Sequence, residues 1–365
     1  MANVIDYVKW RGDISFGESP LNAIDALIFS ELSYLHFDNF VPPSLTGKGV
    51  PLSILSEKFF ANHVDKSSVG AILPTEKMLE LLKLCAKSRR FSHAHVKGFI
   101  NEIDIKEQKQ FSAMCFDVGK NTTVVAFRGT DDTLIGWKED LNMAFFTPIP
   151  SQSHSVDYLS KVISSTDKEN FVVCGHSKGG NLAVYSALKL AKELKERVTV
   201  VYDFDGPGFK ADFAENAKND KILSRIYKFS PENTLIGAIF NSVGTCKFVK
   251  STVKGFTQHD AFTWEVMGRE FVYVKRQSNA SVDFHNTLER LVDNMTDRER
   301  VQFVDALYKF MTVNDATTLT DVASDKLKFI VGILKTDMKT KKTVFDFMNR
   351  VIKEKYFNKS NGVKN

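Results

Sequence analysis

The 365-residue chain holds only four cysteines, Cys85, Cys115, Cys174 and Cys246, and no two of them form a CxxC pair. That scatter excludes a disulfide framework and reads as free thiols in a reducing compartment. No cluster of histidine and cysteine has metal-ligand spacing, so neither a metal nor another cofactor is expected. No stretch reaches the roughly 18 uninterrupted apolar residues of a membrane span. The opening "MANVIDYVKWRGDISFGESP" has no long apolar run behind a basic start, as a cleaved signal peptide has. A cytoplasmic protein is the expectation. A strong charge of one sign is also missing from most of the chain. The formal net charge is +5, while the stretch from Lys335 to Asn365 alone has nine Lys or Arg against three acids. The body is therefore close to neutral, which argues against nucleic acid as a partner.

What is present is material for a large core, including 30 phenylalanines. "SPLNAIDALIFSELSYL" predicts a helix capped by Ser19, with Pro20 in its first turn and a stripe of Leu21, Ile24, Leu27, Ile28, Leu32 and Leu35. A second helix is expected over 75–89. The period then changes. "VKGFINEIDIKEQKQFSAMCFDVGKNTTVVAFRGT" predicts three strands joined closely enough to pair antiparallel. After residue 120, strands alternate with helices, which implies βαβ units and a mainly parallel central sheet. From Asn286 the pattern is helical. "TDRE" at 296–299 is a capping-box signal, and further helices are expected over 319–335 and 341–357. The resulting division is 1–285, of which 1–95 is largely helical, and a helical 286–365 ending in the basic tail.

"FVVCGHSKGGNLAVYSALKL" carries the chemistry. An apolar strand stops at Gly175, a helix follows, and Ser177 stands between them in a GxSxG pattern. A serine on such a turn projects its oxygen from the sheet, and the helix N-terminus behind it favours developing negative charge. A serine needs a base, and the base an orienting acid, in the chain order Ser, acid, His. Only His259 and His285 follow Ser177, and His259, in a loop before a strand-like segment, is the preferred base. Asp205, at the end of a predicted strand before Gly-Pro-Gly, is the preferred acid, with Glu232 as the alternative; Asp203 lies within the strand. His176 reads as structural. Oxyanion donors are expected from the Lys178 N–H and from Thr130 in "VVAFRGTDD".

These stretches resemble a known family. "VVAFRGTDDTLIGWKEDL" followed by "GHSKGGNLA" is similar to the class-three, fungal-type lipases. Together with "DYVKWRGDISFGESPLNAIDALIFSELSYL", "YDFDGPGF" and "QHDAFTWEV", they most resemble the bacterial Mbeg-like relatives of those lipases, over residues 6 to about 275. The resemblance implies an α/β-hydrolase fold and ester hydrolysis, with Ser177 as nucleophile, Thr130 and Lys178 as oxyanion donors and His259 as base. It also implies an acid where this chain has Thr234, so Asp205 or Glu232 must substitute or the triad is incomplete.

Residues 131–147 are expected near the pocket, where Leu134, Ile135, Trp137, Met143, Phe145 and Phe146 suit an acyl chain, with ordinary core packing the preferred reading for most of them; Trp137 and Asp140 in particular read as structural. In the last helix Val344, Phe345, Met348, Val351, Ile352 and Tyr356 form one face and basic residues much of the other. Docking of that face on the body is the preferred reading, and peripheral membrane contact the competing one. The expected activity is a serine hydrolase on lipid or acyl esters. The alternatives are a catalytically weak or inactive scaffold acting as a binding or membrane-associated module, and a thioesterase or amidase.

Overall fold

The computed structural model describes residues 1–62, 75–312, 316–318 and 336–361. Two asparagines start the first two helices. Asn3 accepts the Ile5 N–H at 2.9 Å while Asp6 accepts the Asn3 N–H at 3.1 Å, opening α1 (Val4–Arg11). Asn22 and Asp25 repeat this reciprocal box for α2 (Ala23–Leu32). The helix thus starts later than a Ser19 cap requires. A capping box needs an acid or amide three residues on that reaches back to the cap N–H. Asp25 does this for Asn22, whereas the Ser19 hydroxyl accepts Arg11 Nη2 at 2.5 Å.

Every residue of α2 from Ile24 to Leu32 is buried, so the helix runs through the core rather than along its edge. Its Asp25 is neutralised by Arg90 through two bonds of 2.7 and 2.5 Å, with both side chains fully buried. Such a fork holds both groups in one geometry, and it fastens α2 to the chain just beyond α4 (Thr75–Lys87).

Among the described residues a nine-stranded sheet spans the molecule. A two-residue β1 (Val50–Pro51) follows the irregular proline-rich segment and leads into α3 (Leu52–Ala61). The strands β2 (His95–Asp104), β3 (Lys109–Asp117) and β4 (Thr122–Phe127) then pair antiparallel, and β1 adds to β2 in the same sense. From β4 onward, β5 (Asn170–His176), β6 (Val198–Phe204), β7 (Ile226–Pro231) and β8 (Thr245–Val249) run parallel. The small hairpin β9 (Val266–Met267) and β10 (Glu270–Phe271) stands apart, and β11 (Tyr273–Val274) closes the edge beside β8. The expected α/β arrangement, with antiparallel first strands and a parallel centre, is what forms.

Alternation along the strands feeds two apolar layers. Val124, Ala126, Val172 and Cys174 face α1, α2, α4 and Trp264. Val125, Phe127 and Val173 face α6 (Pro150–Ser164) and α7 (Lys178–Lys189). The crossovers are completed by α5 (Leu134–Met143), α8 (Lys192–Lys195) and α9 (Ala211–Ala217).

The C-terminal part forms α10 (Asn279–Asp293), α11 (Asp297–Met311) and α12 (Met338–Asn361). Thr296 and Glu299 make the expected capping box of α11. The expected helix over 319–335 lies outside the described residues. Docking of α12 uses Phe347, whose ring stacks on Phe303 at 3.6 Å, and Arg350, which bonds Glu299 at 2.7 Å. Phe345, placed on the docking face by helical spacing, is 66% exposed. The packing face is thus rotated from the expected one; the side chains of Met348, Val351, Ile352 and Tyr356 are not described. No helix among the described residues is long and apolar enough to cross a membrane.

Candidate active site

Ser177 sits between β5 and α7 with φ 56° and ψ −132°, a backbone conformation that non-glycine residues rarely adopt. Its neighbours hold it there. The Ser177 N–H donates to Phe204 O at 2.9 Å, and its carbonyl accepts the Gly180 N–H at 2.9 Å. The turn closes only because two glycines lack side chains. A Cβ on Gly179 would stand 2.1 Å from Phe127 O, and one on Gly175 would stand 2.2 Å from the Gly179 carbonyl. The GxSxG spacing is therefore a packing requirement between strand and helix.

Asp205 directly follows β6, with φ 54°, and is fully buried. Its Oδ2 lies 2.7 Å from His259 Nδ1, and its Oδ1 accepts the Thr234 hydroxyl at 2.6 Å. The chain brings this carboxylate and imidazole together across 54 residues. Glu232 does not take that position. It lies beside Val274–Asn279, and its carbonyl accepts the Ser278 N–H at 2.7 Å. Thr234, which stands where the resemblance puts an acid, is a hydrogen-bond donor to Asp205. Asp203 accepts the Gly206 N–H at 2.7 Å and stands 3.5 Å from Lys228 Nζ; burial raises its carboxyl to about 6.

His259 closes a short 3₁₀ turn, Gly255–His259, that is fixed from both sides. The Gln258 carboxamide accepts the Asn233 N–H at 2.9 Å and donates to Val253 O at 2.7 Å. The fully buried Trp264 donates its indole N–H to Gln258 O at 2.8 Å. His176 adds a further support. Its Nε2 donates to the His259 carbonyl at 2.9 Å, and the two rings stack at 4.7 Å. Burial, and then the neighbouring His259, hold His176 well below the usual imidazole range, so it stays neutral. The other histidine, His285, lies inside α10 and bonds Ala238 O at 3.0 Å.

The loop from Arg128 to Thr133 is equally braced. Buried Arg128 donates to Asn101 at 2.8 Å and Asp131 at 3.2 Å, and Asp131 accepts the Thr133 N–H at 3.0 Å. Thr130 donates its hydroxyl to Asp140 Oδ2 at 2.6 Å. Burial raises the Asp140 carboxyl to about 6, against the opposing pull of Lys178. Lys178 itself is buried, its Nζ donating to Gln110 at 2.9 and 2.6 Å and to Glu139 at 3.1 Å.

Ser177, His259, Thr130 and Lys178 line one cavity of about 420 Å³. Its apolar wall is made by Leu141, Met143, Ala144, Pro207, Ile236, Ile239, Phe240, Phe256, Phe284 and Leu288. Met143 stands where expected, but Leu134, Ile135, Phe145 and Phe146 are not on this wall. Leu134 and Ile135 face inward at the start of α5, while Phe145 and Phe146 pack into the apolar cluster around Phe303. Trp137 and Asp140, read from sequence as structural, do line the cavity. Sequence reasoning also missed Glu31, Tyr34, Ile236, Ile239, Phe240, Phe284 and Leu288. The apolar positions 236, 239 and 240, and then 284 and 288, recur at helical spacing, a signal that was available without showing what the side chains face.

Fold and site together define an α/β-hydrolase fold with a serine, an imidazole–carboxylate pair and a braced loop around one cavity. The chain belongs to the Mbeg1-like family, whose profile matches residues 85–309, more than half of its length. No curated protein matches it. Among solved structures it is similar to the M37 lipase (16% identity, 59% of this chain and 68% of that one, TM-score 0.34). It is also similar to a triacylglycerol lipase from Penicillium expansum (13%, 50% and 74%, 0.34) and to the Lip2 lipase of Yarrowia lipolytica (12%, 64% and 81%, 0.35).

Proposed function

We propose that this chain is a serine hydrolase that cleaves a carboxylic ester of a lipid or other acyl group. The observation that carries the reading is the 2.7 Å contact between His259 Nδ1 and buried Asp205, beside a Ser177 held at positive φ in the same cavity. In this reading Asp205 fixes the imidazole with Nε2 free to accept a proton. His259 takes the Ser177 proton as the serine oxygen attacks the ester carbonyl. The negative charge that forms on the carbonyl oxygen is met by the Lys178 and Thr130 N–H groups and by the positive end of α7. His259 then protonates the departing alcohol. Water, activated by the same imidazole, releases the acid. The apolar wall takes the acyl chain.

A fluorophosphonate, which modifies activated serines covalently, tests this by intact mass. One adduct is expected on the wild type, none on Ser177→Ala, and slow labelling on His259→Ala. A folded wild type left unlabelled at neutral pH in detergent would overturn the reading and leave a binding scaffold.

A further inference from the structure

His259 is held at two points. Its Nδ1 meets Asp205, and its backbone carbonyl accepts the Nε2–H of His176 at 2.9 Å. The second contact selects a tautomer. A carbonyl only accepts, so Nε2 of His176 carries the proton, and the neutral ring presents Nδ1 as an acceptor. A buried acceptor needs a donor, and two side chains face this one. Glu31 Oε1 and the Tyr34 hydroxyl each lie 3.4 Å from Nδ1. The phenol has another acceptor at the same distance, the His176 carbonyl. Glu31 Oε1 has no such alternative: it is buried near the end of α2 without any other hydrogen-bond partner. The lone carboxyl oxygen and the lone ring nitrogen satisfy one another once the carboxyl carries a proton. Burial supplies that condition. It holds Glu31 well above the usual carboxylate range, and Asp260 pushes the same way. Asp260 in turn faces Lys77 of α4 at 3.5 Å.

We infer that Glu31 is a positioning residue: its carboxyl proton bonds Nδ1 of His176, which commits the His176 Nε2–H to the His259 carbonyl and so holds the catalytic base in place beside Ser177. Two imidazole–carboxyl pairs then lie against each other, their rings stacked at 4.7 Å. The outer pair, His259 with Asp205, takes up the proton during turnover. The inner pair, His176 with Glu31, stays neutral and adds no like charge beside the imidazolium that forms. At 3.4 Å the inner bond is longer than a strong one of about 2.7–3.2 Å, so its expected effect is modest.

This deepens the proposed hydrolase and rests on it, and a measurement without turnover separates the two. Nitrogen NMR of the histidine-labelled wild type at neutral pH reads the ring directly, with the His176 signals assigned by their loss in His176→Gln. A neutral His176 protonated at Nε2, with Nδ1 hydrogen-bonded, is expected. An imidazolium, or a ring protonated at Nδ1, overturns the inference. Turnover of p-nitrophenyl octanoate then tests the consequence. Glu31→Leu should lower kcat by about three- to tenfold with KM little changed, as for one lost neutral hydrogen bond. Glu31→Gln, whose carboxamide N–H can donate to Nδ1, should recover most of that loss. Glu31→Leu as active as the wild type, or Glu31→Gln as impaired as Glu31→Leu, overturns the role. So does a loss seen in Tyr34→Phe alone, which makes the phenol the donor. If Glu31→Leu does not fold, the wild-type spectrum and Glu31→Gln decide. The expected spectrum in a chain that fluorophosphonate fails to label overturns the hydrolase and leaves the hydrogen-bond chain standing.

Discussion

Asp205 carries two hydrogen bonds of different consequence. The bond to His259 orients the imidazole, and the bond from Thr234 holds the carboxylate itself. If the imidazole–carboxylate pair drives turnover, Asp205→Asn should lower kcat on a p-nitrophenyl ester by up to about 10⁴-fold, because the wrong tautomer is then stabilised. Thr234→Val should cost on the order of tenfold, since one neutral hydrogen bond is lost. Glu232→Gln should leave kcat unchanged. Loss of activity in Glu232→Gln, with Asp205→Asn unaffected, would move the acid to Glu232. Sequence could put Asp205 only slightly ahead of Glu232. Asp205 N–H donates to Phe229 O at 2.8 Å, so the register of β6 on β7 sets the carboxylate, and no local pattern encodes that register. His176 shows a related limit. Its position in the elbow gave a structural role, but its stacking on His259 joins segments 83 residues apart.

At the scale of elements, the junction of α5, α6, α7 and β3 is tied by charge. Glu139 accepts the Lys178 ammonium at 3.1 Å, the Gln110 N–H at 3.0 Å and the Ser151 N–H at 2.9 Å, all buried. Removing one partner of a buried pair leaves the other charge without compensation. Lys178→Met should therefore cost about 3–5 kcal/mol in urea unfolding. Lys178→Met with Glu139→Gln should recover part of that loss. A single variant as stable as the wild type would mean that the charge is not isolated. The elements themselves were readable wherever one period dominated. The antiparallel β2–β4 meander, the strand-to-helix elbow and the Thr296 cap all follow from alternation, glycine placement or capping residues. The start of α2 did not follow, because Ser19 and Asn22 are both good caps and only the reciprocal bond from Asp25 separates them. The rotated face of α12 is a similar case: a helix apolar at Phe345 and at Phe347 fits two orientations until α11 supplies Phe303.

Over the whole molecule, the cavity is a joint product of three regions. Glu31 and Tyr34 come from α2 and the turn after it, Ser177 and His259 from loops at the carboxyl ends of the sheet, and Phe284 and Leu288 from α10. The apolar wall is thus set partly by α10, whose place in the cavity was not legible because a helix reveals its apolar face without revealing what lies opposite. Leu288→Asn should lower the preference for an octanoyl over an acetyl ester by about tenfold, read as the ratio of kcat/KM values. An unchanged ratio would place the acyl chain elsewhere in the cavity.

That shared construction also bears on the protein's synthesis. Chains emerge from the ribosome N-terminus first. The serine, the carboxylate and the imidazole are all present once residue 259 has been made, before any of α10 exists. The nascent chain at that moment carries these three groups and most of the apolar wall, but not Phe284 and Leu288. Completion of α10 is then the step that supplies the last two residues of that wall.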